Sequence, residues 1–66
     1  MKYFRAICCE EKNIYIIKRT TGNTDCVQGK FIYDNIWCRY RFISTPDFSF
    51  DIDDLKDLAK GLKEVE

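Results

Sequence analysis

The sequence contains no histidine and only three glycines, which are scattered at Gly22, Gly29 and Gly61. Without histidine, the serines and cysteines lack the side chain that most often acts as the base in nucleophilic catalysis. The scattered glycines also exclude a glycine-rich phosphate-binding loop. A chain of 66 residues has little room to enclose a substrate pocket. We therefore expect a protein without enzymatic activity and without a bound cofactor.

Long apolar runs are missing as well, because no segment approaches the roughly 18–20 residues that a membrane-spanning helix needs. Residues 1–13 carry charges at Lys2, Arg5 and Glu10, and their apolar stretch is too short for the core of a signal peptide. We therefore expect a cytoplasmic protein, in a bacterium or in a host cell, that does not contact a membrane.

The four cysteines show no C-x-x-C spacing. Cys8 and Cys9 are adjacent, so in a strand they point to opposite sides of the sheet and rarely bind one metal ion together. The others are Cys26 and Cys38, and Cys38 is predicted to lie on the core face. Without a secretory signal, reduced thiols are the default state. We expect reduced, mostly structural cysteines and no metal, with a disulfide or a zinc site as alternatives.

Hydrophobic residues make up 45% of the chain and aromatic residues 15%, enough for the core of one small domain spanning residues 1–66. Residues of high β propensity, separated by short turns, predict four strands in an antiparallel meander. A helix follows, so the predicted fold class is α+β in the order ββββα, with the sheet in residues 2–43 and the helix in 51–65. The strands are predicted at Lys2 to Cys9, Ile14 to Arg19, Val27 to Tyr33 and Ile36 to Ile43, with a loop over Thr20 to Asp25.

Asp51 is placed to cap the predicted helix, and Asp53 and Asp54 follow in its first turn. We interpret this acidic cluster as helix capping rather than as a calcium site, whose spacing it does not match. Apolar residues then recur at helical spacing and predict a stripe that packs against Tyr40 and Phe42 of the sheet. The stripe comprises Ile52, Leu55, Leu58, Ala59, Leu62 and Val65.

Residues 31–43 predict a hairpin with a two-residue connection at Asp34-Asn35, since both residues tolerate the left-handed conformation of a type I′ turn. This connection sets the pairing register of the two strands, in which Gly29 lies opposite Tyr40 and leaves room for its ring. Successive side chains of a strand face opposite sides of the sheet, so the register divides the hairpin into two faces. The predicted core face carries Ile36, Cys38, Tyr40 and Phe42, and the predicted exposed face carries Gln28, Lys30, Ile32, Trp37, Arg39 and Arg41.

The predicted exposed face is our candidate binding surface, because tryptophan and arginine are enriched at the energetic centres of protein interfaces. Basic side chains prevail in residues 1–50 and acidic ones in residues 51–66, and such a charge separation orients a partner. We expect a protein partner bound through this face. Short chains of this kind are often inhibitors or accessory factors, including those of phages and mobile elements.

Three alternatives remain open. A basic and aromatic sheet face is typical of RNA- and single-stranded-DNA-binding modules, although a net charge of zero is unusual for them. An exposed sheet face or strand edge also builds homodimers. Finally, Trp37 has a purely structural interpretation, in which it lies flat on the sheet under the stems of Arg39 and Lys30.

Overall fold

Four antiparallel strands and one C-terminal helix form the structure, which confirms the predicted α+β fold in the order ββββα. The computed structural model describes residues 1–21 and 24–66. The strands lie in the sheet in chain order, as short connections require. The elements are β1 (Arg5–Cys8), β2 (Ile14–Thr21), β3 (Thr24–Asp34), β4 (Arg39–Ser44) and α1 (Ile52–Val65).

The connection between β2 and β3 is shorter than the predicted loop. β2 continues to Thr21 and β3 begins at Thr24, because the threonines extend the run of residues with high β propensity. The centre of the predicted loop, residues 22–23, lies outside the described residues.

The predicted register of the hairpin formed by β3 and β4 is wrong. Tyr33 pairs with Tyr40, and Phe31 pairs with Phe42, so β4 begins at Arg39 rather than at Ile36. The rings of the two pairs meet edge to face, with centroids 5.3 Å and 6.0 Å apart. Such cross-strand aromatic pairs stabilise a sheet beyond their burial and account for this register.

The hairpin closes through a turn over residues 35–38 instead of the predicted two-residue connection. The Asp34 carboxylate organises this turn, since it accepts hydrogen bonds from the N–H groups of Ile36 and Trp37 at 2.8 and 3.3 Å. Cys38 adopts a left-handed backbone with φ of 54° and is exposed. The prediction that Ile36 and Cys38 lie on the core face is therefore wrong.

A bulge in the pairing of β2 with β3 places Gly29 differently from the prediction. Ile17 pairs with Gly29, but the next residue, Lys18, pairs with Val27, so Gln28 is the extra residue. Gly29 lies beside the ring of Phe42, and the predicted contact with Tyr40 is wrong.

The hydrophobic core lies between the sheet and α1. Phe4, Ile17, Phe31 and Leu58 are its fully buried members, and they come from four different segments of the chain. Partly buried side chains surround them: Met1, Tyr15, Tyr40, Phe42, Phe50, Leu62 and Val65. The helix therefore covers one face of the sheet, as the apolar stripe predicts.

The orientation of α1 about its axis differs from the prediction. Leu58 is 2% exposed, but Leu55 is 53% exposed and Ile52 is exposed as well. The predicted packing of Leu55 against Tyr40 and Phe42 is therefore wrong. The buried residues of α1 are Asp54, Asp57, Leu58 and Gly61.

Two buried carboxylates explain this orientation. Asp54 pairs with Arg19, with a carboxylate oxygen 3.1 Å from the guanidinium nitrogen. Asp57 accepts hydrogen bonds from the backbone N–H groups of Lys2 and Tyr3, at 2.6 and 2.9 Å. Burial alone raises the pKa of Asp57, but these hydrogen bonds outweigh it and hold the pKa below its ordinary value. Because both carboxylates have an ion-pair or hydrogen-bond partner, the helix can bury them against the rest of the protein.

Asp51 caps α1, as predicted. Its carboxylate accepts a hydrogen bond from the backbone N–H of Asp54 at 2.8 Å, and the Asp54 carboxylate accepts one from the backbone N–H of Asp51 at 3.3 Å. This reciprocal arrangement is a capping box, which satisfies two amides that the first turn leaves without helical partners.

Candidate interaction surface

The face of the sheet opposite α1, which we call the open face, carries a row of aliphatic side chains. Ile7 pairs with Ile16, Ile16 with Lys30 and Lys30 with Ile43, so these residues lie side by side across the four strands. In the described part of the chain no element packs over this face, and Ile43 is 49% exposed. The aliphatic members of the open face are Ile7, Ile14, Ile16, Val27, Ile32 and Ile43.

Cations outnumber carboxylates on the open face. The cations are Arg5, Lys18, Lys30, Arg39 and Arg41, and the carboxylates are Asp25 and Asp34. Arg5 forms an ion pair with Asp25. Arg41 forms one with Asp34, at 3.2 Å. The other three cations make no ion pair within residues 1–21 and 24–66, so the face carries net positive charge.

Asp34 is held as a carboxylate at the hairpin end of this face. Partial burial alone raises the pKa of Asp34, but the N–H groups of Ile36 and Trp37 and the guanidinium of Arg41 outweigh it and lower the pKa. The same carboxylate thus fixes the turn and one cation of the open face.

The structure brings together four of the six residues predicted as the binding surface. Lys30, Ile32, Arg39 and Arg41 share the open face, where Ile32 pairs with Arg41. Trp37 lies in the turn over residues 35–38, outside the strand in which it was predicted.

Gln28, the remaining predicted surface residue, is only 5% exposed. It occupies the bulge. Its backbone carbonyl oxygen accepts hydrogen bonds from the backbone N–H and the hydroxyl of Thr45, at 2.9 and 3.1 Å. Gln28 therefore fixes the chain after β4 and does not form part of the exposed surface.

Two shallow depressions run along β3 and β4 on the open face and meet at Ile43. One, of about 560 Å³, extends towards the hairpin turn and is lined by Ile32, Ile36 and Arg41 among others. The other, of about 280 Å³, extends towards Pro46, and its lining includes Ile16, Val27 and Lys30. We call the two depressions together the open-face groove.

The hairpin turn presents two large apolar side chains to solvent at one end of this groove. Ile36 is 87% exposed and Trp37 is 64% exposed. The structural interpretation of Trp37, in which Arg39 and Lys30 cover it on the sheet, does not agree with this exposure or with its place in the turn.

Most aromatic side chains of the sheet lie on the face that α1 covers. Tyr15 and Tyr33 both meet Tyr40 edge to face, with centroids 5.8 and 5.3 Å away, and the Tyr40 hydroxyl lies 3.2 Å from the amide oxygen of Asn13. Partial burial and the neighbouring acidic groups of the two tyrosines and Cys8 raise the pKa of Tyr40. The sequence alternation that marks Tyr40 as inward-facing is the only signal for this cluster.

The cysteines are dispersed. Cys8 and Cys38 are exposed, whereas Cys9 and Cys26 are partly buried, and all four thiols are free. The exposure of Cys8 and Cys38 does not agree with a purely structural role for these two residues. In the described residues, no group of three or more histidine, cysteine or acidic side chains is placed to hold a metal ion.

Comparisons with protein families, with curated proteins and with solved structures find no match to this chain. None of the helices in the described residues has the length and apolar character needed to cross a membrane.

Proposed function

We propose that this protein is a small binding module that occupies a surface of a larger protein partner through the open face of its sheet. The observation that carries the proposal is the uncovered row of aliphatic side chains around Ile43, bordered by cations. Three of these cations, Lys18, Lys30 and Arg39, make no ion pair within residues 1–21 and 24–66. Contiguous apolar surface of this kind marks interaction sites in small proteins. An inhibitor or an accessory factor needs only such a surface and no catalytic group.

The hairpin turn extends the proposed surface. Trp37 is exposed and follows Ile36, which lines the groove, and a large flat ring at the turn is suited to insert into a pocket of the partner. Arg39 and Arg41 border the same end of the open face and would supply the polar rim that surrounds most interface cores.

Nucleic-acid binding has less support from this arrangement. Single-stranded bases stack on aromatic rings, and the tyrosine cluster lies on the face that α1 covers rather than among the open-face cations. Trp37, two residues before Arg39 in the chain, is an exposed ring in the hairpin turn. Aliphatic side chains such as Ile16 and Ile43 offer bases no stacking surface.

The proposal is tested by a matched pair of variants. Ile43→Asp changes the open face, and Leu55→Asp makes a similar change on α1, where the side chain is exposed to a similar extent. Each chain is immobilised, and the proteins that it retains from a lysate of its source cell are quantified by mass spectrometry, before and after nuclease treatment. Circular dichroism checks that both variants fold.

We expect at least one protein to be retained by the wild type and by Leu55→Asp and lost with Ile43→Asp. Equal retention by all three chains would contradict the use of the open face. Retention that disappears on nuclease treatment would favour the nucleic-acid alternative.

A further inference from the structure

The open-face groove combines an apolar floor with two cations, Lys30 and Arg41. Arg41 is paired with Asp34, whereas Lys30 makes no ion pair within residues 1–21 and 24–66. The half of the groove near Pro46 is lined by Ile16, Val27 and Ile43, and Lys30 lines it with them. Burying Lys30 under a purely apolar partner would strip its ammonium of water without compensation, which is costly. A ligand that fills this groove therefore gains affinity and specificity if it brings carboxylates as well as apolar groups.

We propose that the open-face groove receives an amphipathic α-helix of the partner whose polar flanks are acidic. This inference rests on the proposed function and specifies the partner's chemistry. The apolar stripe of that helix covers the row around Ile43, and its carboxylates reach Lys30 and Arg39.

The same sheet already binds one acidic helix on its other face. There α1 buries Leu58 against the core and pairs Asp54 with Arg19 at 3.1 Å. The open face also combines apolar side chains with adjacent cations, although its apolar side chains are aliphatic and those under α1 are mostly aromatic. No helix of the described chain lies upon it. A second helix would cover the face of the sheet that α1 leaves open.

The dimensions of the groove fit this occupant. It follows β4, whose six residues span about 20 Å at about 3.4 Å per residue, and continues past both ends of the strand. A helix of about 18 residues, about 27 Å long at about 1.5 Å per residue, covers that distance.

A second copy of this chain is a weaker candidate for the groove. Two open faces brought together would oppose Lys30, Arg39 and their neighbours with the same cations of the other copy. Like charges at an interface are unfavourable and select against wrong partners. Charge complementarity therefore favours an acidic partner over face-to-face self-association.

The test uses a fluorescently labelled model peptide of about 18 residues, with leucine at helical spacing and glutamate at the outward positions. A control peptide has lysine in place of every glutamate, and a labelled oligouridylate serves as the nucleic-acid probe. Binding to the 66-residue chain is measured by fluorescence anisotropy at low and at moderate salt. Lys30→Glu tests the groove, and Lys56→Glu is the matched control on the exposed side of α1.

We expect the acidic peptide to bind at least about tenfold more tightly than the basic peptide, and Lys30→Glu to reduce its affinity at least about tenfold. Lys56→Glu should leave the affinity within about twofold. Added salt should weaken binding, because the rim charges are screened.

Absence of binding, equal affinity for both peptides, or equal effects of Lys30→Glu and Lys56→Glu would overturn the inference. Tighter binding of the oligouridylate than of the acidic peptide would overturn it in favour of nucleic acid. If retention of a cellular protein still depends on Ile43 while the acidic peptide fails to bind, the proposed function stands and only the partner's chemistry is wrong.

Discussion

Gly29→Ala is the substitution that tests the observed register of the hairpin most sharply. A Cβ atom at Gly29 would meet the backbone carbonyl oxygen of Ile43 and would lie 2.8 Å from Cε1 of Phe42. The carbonyl belongs to β4 and cannot rotate away as a side chain does, so the strands must separate locally. In the register predicted from the sequence, the nearest neighbour would instead be the ring of Tyr40.

The expected cost follows from overpacking. Adding a methyl group where neighbours cannot move typically lowers the free energy of unfolding by about 1–3 kcal/mol. Because the neighbour of Gly29 is a backbone carbonyl, we expect Gly29→Ala to cost about 2 kcal/mol or more. A domain of this size has a free energy of unfolding of roughly 3–10 kcal/mol, so the loss is a large fraction of it. The melting temperature should fall by about 8–16 °C, at about 4–8 °C per kcal/mol. Thermal and urea unfolding followed by circular dichroism measure both quantities.

Gly61→Ala is the matched control, because Gly61 is also buried but its neighbour is flexible. A Cβ atom there would meet the side chain of Met1, which can change rotamer, and alanine favours the helix by up to about 1 kcal/mol. We expect Gly61→Ala to change stability by less than about 1 kcal/mol. A melting temperature for Gly29→Ala equal to or above that of the wild type would refute the close approach of β3 to β4 at this point.

Further predictions concern the core, one carboxylate and the turn. Leu58→Ala should lower the free energy of unfolding by about 2–5 kcal/mol, whereas Leu55→Ala should cost less than about 1 kcal/mol, and similar losses in urea unfolding would contradict the observed orientation of α1. Asp57→Asn should cost about 1–3 kcal/mol near neutral pH. Because the pKa of Asp57 is lowered in the folded state, its contribution is complete above the ordinary pKa of about 4 and is lost as the pH falls through the lower folded value. Melts from pH 7 to pH 2 should therefore show the wild type and this variant converging in acid, and a constant gap would disprove the linkage. Trp37→Ala should change stability by less than about 0.5 kcal/mol, and a loss above about 2 kcal/mol would show that the ring is structural.

The order of elements was predictable because each is specified locally. The capping role of Asp51 and the helical spacing of the apolar residues after it define α1 without reference to the rest of the chain. The pairing of β3 with β4 was less predictable, since Asp34 can either join a two-residue connection or cap a longer turn. Only the cross-strand aromatic pairs distinguish the two, and they form after the strands have met.

The error in register displaced β4 by an even number of residues along its partner. Side chains alternate with a period of two, so an even shift leaves each of them on its predicted face of the sheet. Lys30 and Arg41 therefore share the open face as predicted. Ile36, Trp37 and Cys38 depart from the prediction because they lie in the turn, and Gln28 departs from it because it lies in the bulge.

The aliphatic row on the open face and the buried carboxylates of α1 were not predicted. Residues 14–17 form a continuous apolar run, which does not reveal that Ile16 and Ile17 face opposite sides of a one-sided sheet. Asp57 lies outside the apolar stripe of the helical pattern, so the sequence predicts that its side chain is exposed to solvent. Its partners, the amides of Lys2 and Tyr3, are distant in sequence and emerge only when the chain folds.

The most direct test of the account is an NMR titration of the ¹⁵N-labelled protein with the acidic model peptide. If the open face is the interaction surface, amide shift changes should concentrate at Ile16, Lys30 and Ile43, and the Lys30→Glu variant should need at least about tenfold more peptide to reach the same changes. Residues on the exposed side of α1, such as Leu55, should remain unchanged. Shift changes confined to α1 or to the tyrosine cluster would contradict the central claim that this protein acts through the open face of its sheet.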